Sequence, residues 1–249
     1  MSRMFLIGIY STPTKNIRDI WPVPFGTQHG YNHRMATFKG ILFDNDGTLV
    51  DTHDLILSSM RHCTRTVLGV ELPEEVLLHK VGQPLAVQMC DFTDDEELQV
   101  ELLRVYREHN HSIHDDVVAA FPGAKEALAR LSGAGVRMGV VTSKMHALAW
   151  RGLEITGLAP YLDCCIGADD CVHYKPEPEP VVRGCEAIGL EPAECLYVGD
   201  SPYDIHAGNA AGCKTAAVSW GVFSLDEMRV ENPTYEFDSF EQFADAFSR

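Results

Sequence analysis

Five short apolar runs punctuate the chain: GILFD (40–44), RMGVVTS (137–143), CCIGAD (164–169), CLYVGD (195–200) and KTAAVSW (214–220). They are rich in Val, Ile and Cys and are bounded by Gly, Asp or Ser. Such runs predict strands buried on both faces, as in a parallel sheet. Between them the apolar positions recur with the period of a helix, in GAKEALARLSGAG (123–135), ALAWRGLEITGL (147–158), EPVVRGCEAIGL (179–190) and YDIHAGNAAG (203–212). Strands and helices in alternation predict a doubly wound, Rossmann-like α/β fold.

One gap breaks the alternation. The first two runs are separated by a long stretch without a strand pattern, too long to be a structureless loop. It carries helical segments instead: DLILSSMRHCTRTVLG, PEEVLLHKVG, PLAVQMCDF and DDEELQVELLRVYREHNHSI. Residues 54–118 therefore read as a small helical domain inserted into a core made of 35–53 and 119–249. FPG (121–123) marks the return to the core. Residues 1–34 contain Pro13, Pro22, Pro24, Gly26 and Gly30 and lack periodicity. They read as an irregular extension ahead of a second plausible start at Met35.

Composition narrows the class. The chain has 249 residues, is 45% apolar and 22% charged, and carries a net charge of −16. That balance suits a globular protein with a real core and argues against nucleic acid or an anionic membrane as partner. No apolar stretch reaches the length of a membrane span. Eight cysteines are scattered without a C-x-x-C pair, which reads as free thiols in a reducing cytoplasm. The expected partner is a small molecule, and the expected assembly a monomer or homodimer.

Ligands of doubly wound sheets sit beyond the carboxyl ends of the strands. Asp44 and Asp46 follow the first run, Thr142, Ser143 and Lys144 the second, and Asp200 and Asp204 the fourth; HYKPEP supplies Lys175 between the third and fourth. An Asp after a strand is usually a turn or a helix cap. A whole set of acids, hydroxyls and a lysine at successive strand ends is a different matter. Clustered carboxylates of Asp44, Asp46 and Asp200 need a cation, and an all-oxygen set suits Mg²⁺. A carboxylate can act as a covalent nucleophile toward phosphorus. Thr142 and Lys175 can hold phosphoryl oxygens during transfer, with Ser143 a further substrate contact.

In order, DNDGT, VVTSK, YKPEPEP and GDSPYD resemble the four motifs of the haloacid dehalogenase superfamily, and the likeness runs from about Phe38 to Phe247. The resemblance implies a phosphatase whose nucleophile is Asp44 and whose general acid and base is Asp46. It implies Mg²⁺ on the Asp44 carboxylate, the Asp46 backbone carbonyl and the Asp200 carboxylate, with Asp204 supporting the metal's waters. Thr142 and Lys175 are then the phosphate ligands. Asn45 departs from the family pattern, which usually has an apolar residue there.

Other readings compete. A dehalogenase has no use for Asp46, and a phosphonatase needs a Schiff-base lysine in the insert, where Lys80 is the sole lysine. A sugar-phosphate mutase shares the core. A phospho-accepting receiver module is about half this length and lacks the paired acids. Within the insert, KVGQPL (80–85) resembles the cap loop of relatives and makes Gln83 a substrate contact. His109, His111 and His114 read as a solvated face or hinge. The overall likeness is to phosphoglycolate phosphatases and to pyrophosphatases of the same superfamily. A small organic phosphate such as phosphoglycolate is preferred, with Lys80, Arg61 and Arg65 available for its carboxylate, and pyrophosphate is the rival.

Overall fold

The computed structural model describes residues 38–247; the reading of residues 1–34 lies outside them. The chain opens with β1 (Gly40–Phe43), and the short β2 (Val50–Asp51) follows a tight turn. Four helices come next: α1 (His53–Leu68), α2 (Glu74–Leu77), α3 (Leu85–Met89) and α4 (Glu96–Val117). β3 (Ala119–Ala120) pairs antiparallel with β2, Val50 opposite Ala120, so the chain leaves and re-enters through a two-stranded ribbon. Then come α5 (Ala124–Gly133), β4 (Arg137–Val141), α6 (His146–Ile155), β5 (Cys164–Ile166) and α7 (Glu179–Ala187). β6 (Cys195–Gly199), α8 (Pro202–Ala211), β7 (Lys214–Val218), α9 (Leu225–Met228), β8 (Tyr235–Phe237) and α10 (Phe240–Phe247) complete the described fold.

Six strands form one parallel sheet in the order β5-β4-β1-β6-β7-β8. The doubly wound α/β class expected from the pattern is the one observed, with β8 as an additional edge strand. Burial follows the pleat. Ile41 and Phe43 join Met138, Val140, Leu196 and Val198 on one face, under α5, α6 and α10. Leu42 joins Val141 and Tyr197 on the other, under α7 and α8. A fully buried Ile, Leu or Phe contributes about 1.5–3 kcal/mol, so a two-faced strand such as β1 holds both helical layers at once.

The helices between the ribbon strands have a separate apolar cluster, built on Leu57, Met60, Met89, Leu102 and Val105. α1 packs along α4 within it. The predicted helix over PEEVLLHKVG shrinks to α2, because the chain turns repeatedly from Leu78 to Pro84. Among the described residues no helix is long and apolar enough to cross a membrane. The eight cysteines are all free thiols.

Candidate active site

Chain connections diverge on either side of β1: the path from β1 leads to β4, and the path from β6 leads to β7. A crevice therefore opens beyond the carboxyl ends of β1 and β6. Asp44 enters it from β1. Its amide still pairs in the sheet, donating to the Val198 carbonyl at 2.8 Å. The next residue reverses the chain: the Asn45 carbonyl accepts from the amides of Thr48, Leu49 and Val50 at 3.3, 3.0 and 2.9 Å. The Asn45 side chain is buried and its Oδ1 has no hydrogen-bond partner, a local polar mismatch at the position where the sequence departs from the family pattern.

Gly47 closes this turn at φ +82°, and a Cβ there would lie 2.3 Å from Asp200 Oδ2. Both the left-handed backbone and the close approach require glycine. Gly47→Ala is therefore expected to displace Asp200, reduce turnover at least tenfold and cost about 1–3 kcal/mol of overpacking. Steady-state rates and thermal melts check this; a variant with wild-type rate and melting temperature contradicts it.

Asp200 follows β6 and is fixed by two donors, Thr48 Oγ1 to Oδ1 and the Val222 amide to Oδ2, each at 2.9 Å. Asp204 sits at the start of α8. Its Oδ2 accepts from the Ser201 amide at 3.1 Å and from Ser201 Oγ at 2.5 Å, and Ser201 Oγ accepts in turn from the Asp204 amide, a reciprocal helix cap. Asp204 Oδ1 accepts from Lys175 Nζ at 2.6 Å and from the Tyr197 hydroxyl at 3.1 Å. Asp204 thus belongs to the acidic cluster but is already used on both oxygens, to cap α8 and to hold Lys175.

Lys175 is fully buried, with its Nζ 2.6 Å from Asp204 and 2.9 Å from Asp44 Oδ1. Burial lowers its pKa, but the two carboxylates override this and raise it, so it stays an ammonium. Asp44 is pushed well above the usual carboxylate range, chiefly by burial; the Lys175 charge opposes that, and Asp204 and Asp200 add to it. Burial first and the Asp204 charge second push Asp200 up to about 7.

Oxygens of Asp44, Asp200 and Asp204 all lie within 4.8 Å of one another. One ammonium faces three buried carboxylates, and Asp44 Oδ1 has no hydrogen bond of acceptable geometry. That excess of buried negative charge and the all-oxygen donor set fit a hard divalent cation such as Mg²⁺. Among the described residues this is the single cluster of three or more potential metal-ligating side chains.

The same cluster predicts a pH dependence. Asp200 holds its proton more tightly folded than unfolded, so the stability from that proton is present below about pH 4 and lost as pH rises toward about 7. A cation that replaces the proton reverses the loss. The rise in melting temperature on adding Mg²⁺ is therefore expected to grow from pH 5 to pH 8. Melts with Mg²⁺ or with chelator measure it, and an increment that shrinks as pH rises contradicts it.

Asp46 occupies a different environment. Burial pushes its carboxyl up, but the Lys144 ammonium 2.9 Å away overrides this by charge and hydrogen bond and holds it below its ordinary value. Thr142, at the end of β4, is buried, and its Oγ1 accepts from the Lys144 amide at 3.2 Å. Ser143 Oγ donates to the Gly82 carbonyl at 2.6 Å and so ties the α2–α3 loop to the strand ends. Gly82, at φ +98°, lies against Ser201 and Tyr203.

A cavity of about 220 Å³ lies between this loop, α4 and the strand ends, and its walls include Asp44, Asp46, Gln83, Thr142 and Ser143. Lys175, Asp200 and Asp204 are not part of that wall and lie deeper in the crevice. The cations expected for a carboxylate are used elsewhere: Arg61 on Glu74, Arg65 on Glu71, and Lys80 on Asp91. Hydrogen bonding to Asp91 raises the Lys80 pKa, the opposite of what a Schiff-base amine needs. The three histidines expected on one solvated face or hinge diverge, and His114 is buried. His109 stacks on His62 at 4.4 Å, His111 lines the cavity, and His114 is buried beside Asp115. Sequence reasoning missed two groups on the cavity wall, the Lys144–Asp46 pair and Arg107. Lys144 was within reach of the motif pattern, whereas Arg107 becomes visible once α4 is placed.

Residues 41–218 match the family model described as haloacid dehalogenase-like hydrolase. The chain belongs to that family and is a phosphatase of the haloacid dehalogenase type. It is 40% identical over 200 residues to a provisionally named PpaX pyrophosphatase of Clostridium perfringens, covering 80% of this chain and 92% of the relative. Pyrophosphatase PpaX of Bacillus velezensis is 35% identical over 195 residues, covering 78% and 89%. Among solved structures, a predicted phosphoglycolate phosphatase from Haemophilus somnus superposes with a TM-score of 0.78 at 25% identity, covering 85% of this chain and 98% of that one.

Proposed function

We propose that the protein is a Mg²⁺-dependent phosphohydrolase of small phosphorylated compounds that works through a phosphate carried on Asp44, with inorganic pyrophosphate as substrate ahead of phosphoglycolate. The observation that carries the choice is the Lys144–Asp46 ion pair at 2.9 Å.

Asp44 attacks phosphorus, and the bond to the leaving oxygen breaks. Asp46 faces the leaving group and then takes a proton from the water that attacks the phosphorus and frees Asp44. Thr142 and Lys175 hold the phosphoryl oxygens. Mg²⁺, held by Asp44, the Asp46 carbonyl and Asp200, would supply a counter-charge for the phosphoryl group. Residues 54–118 act as a cap, and the loop carrying Gln83 together with α4 excludes water from the cavity.

The two acids have different tasks because they have different neighbours. With Lys144 beside it, Asp46 is ionised, ready to act as a base and poor as an acid. An alkoxide such as that of glycolate needs a proton to leave. A phosphate departs as a stable anion without one. The ion pair therefore favours an anhydride over an ester. The relatives named as pyrophosphatases, 33–40% identical over most of their length, support the same choice.

The test is kcat/KM for pyrophosphate, phosphoglycolate and a phosphopeptide, each with Mg²⁺. Pyrophosphate is expected to lead phosphoglycolate by at least about tenfold, one order being about 1.4 kcal/mol of barrier. Phosphoglycolate ahead of pyrophosphate contradicts the choice of substrate, and a faster phosphopeptide contradicts the closing cap.

A further inference from the structure

We infer that Arg107 holds a second negative charge on the substrate, at the end that is not transferred. The inference rests on the proposed phosphohydrolase reading and adds a substrate class to it: small molecules with an anionic group beyond the reacting phosphorus, either the leaving phosphate of an anhydride or a carboxylate.

Three observations converge on this residue. First, the protein is strongly acidic, with a net charge of −16, and most of the lysines and arginines among the described residues are paired with carboxylates. Every other arginine among the described residues lies within 3.2 Å of a carboxylate, whereas Arg107 has no ion pair. Second, Arg107 is on the wall of the cavity that contains Asp44 and Asp46, and so is Lys144. Third, the turn of α4 that carries it is anchored. Neighbouring Asn110 is buried and donates to Ser59 Oγ at 3.3 Å and to the Tyr106 hydroxyl at 3.4 Å, which fixes the helix face beside the cavity.

The position has a chemical logic. Asp44 defines where the transferred phosphoryl sits, and Asp46 and Lys144 define the side from which the leaving group departs. Gln83 and Arg107 line the same cavity. A guanidinium presents a planar fork that suits phosphate or carboxylate and stays charged at any working pH. Among the permanently charged groups in this wall, Arg107 can recognise such an anion without first giving up a carboxylate. Lys144 must first release Asp46.

The test compares wild type, Arg107→Gln and Arg107→Lys on pyrophosphate, phosphoglycolate and p-nitrophenyl phosphate, whose far end is uncharged. Charge-assisted hydrogen bonds predict a fall of about ten- to a hundredfold in kcat/KM on the two doubly anionic substrates for Arg107→Gln. Turnover of p-nitrophenyl phosphate is expected to change less than about threefold, and Arg107→Lys to recover part of the loss. An equal loss on all three substrates, or no loss on pyrophosphate, overturns the assignment. Calorimetric binding of methylenediphosphonate and orthophosphate with Mg²⁺ gives a readout that needs no turnover. Only the diphosphonate is expected to bind more weakly to Arg107→Gln, and unchanged diphosphonate affinity again overturns it. A wild type that hydrolyses none of the three substrates overturns the phosphohydrolase reading, while the binding comparison still decides the role of Arg107.

Discussion

Asp44→Asn abolishes turnover and leaves the protein folded, with a melting temperature in chelator equal to or above that of wild type. The rate effect follows from the role: without a carboxylate nucleophile the covalent route is closed, and losses for such a group are on the order of 10⁶-fold. The stability effect follows from the electrostatics. Burial, Asp204 and Asp200 together raise the Asp44 pKa against the pull of Lys175, so the ionised group is a net cost to the fold at neutral pH. An amide of the same shape removes that cost. Asp46→Asn is expected to lose less, about 10²–10⁴-fold, because it removes proton transfer and keeps the nucleophile. Substantial residual activity in Asp44→Asn, or a large drop in its melting temperature, contradicts this account.

Lys175→Met destabilises the protein by about 3–5 kcal/mol, the usual result of removing one partner from a buried ion pair. For a chain of this size that lowers the melting temperature by about 6–20 °C. The cause is specific. Lys175 is the one cation beside the buried Asp44 and Asp204 among the described residues, and its loss leaves both facing Asp200 without compensation. Adding Asp204→Asn to Lys175→Met is therefore expected to recover part of the stability but none of the activity. Melting curves and turnover of the single and double variants measure both. A single variant as stable as wild type contradicts the pairing.

The sheet core was legible because its strands are buried on both faces. A continuous apolar run such as GILF or CLYVG has no solvent side to confuse the pattern. β8 escaped notice because it is a three-residue edge strand, YEF, half polar and paired only with β7. The ribbon strands β2 and β3 are two residues each, too short for any period. The helix expected over 73–82 fails beyond Leu77 because the loop docks on Ser143 and Ser201 instead, a tertiary contact that no local pattern encodes.

The site divides along the same line. Asp44, Thr142 and Asp200 were readable because each directly follows a strand end, and the sheet alone brings them together. Lys175 was readable as a motif residue, but its full burial between two acids was not. Asp204 is both a helix cap and part of the acidic cluster, two placements that the sequence presents as alternatives. Lys144 and Arg107 depend on long-range placement: one meets Asp46 across nearly a hundred residues, and the other reaches the cavity by the packing of α4.

The central claim is that phosphate is carried on Asp44, and acid-quenching the enzyme during turnover of ³²P-labelled pyrophosphate with Mg²⁺ tests it most directly. Borohydride reduction and peptide mapping then locate the label. The account predicts radioactive phosphate on the peptide containing Asp44, conversion of that residue to homoserine on reduction, and stronger accumulation in Asp46→Asn. Label at another residue, or full turnover of pyrophosphate with no labelled peptide in wild type or Asp46→Asn, contradicts it.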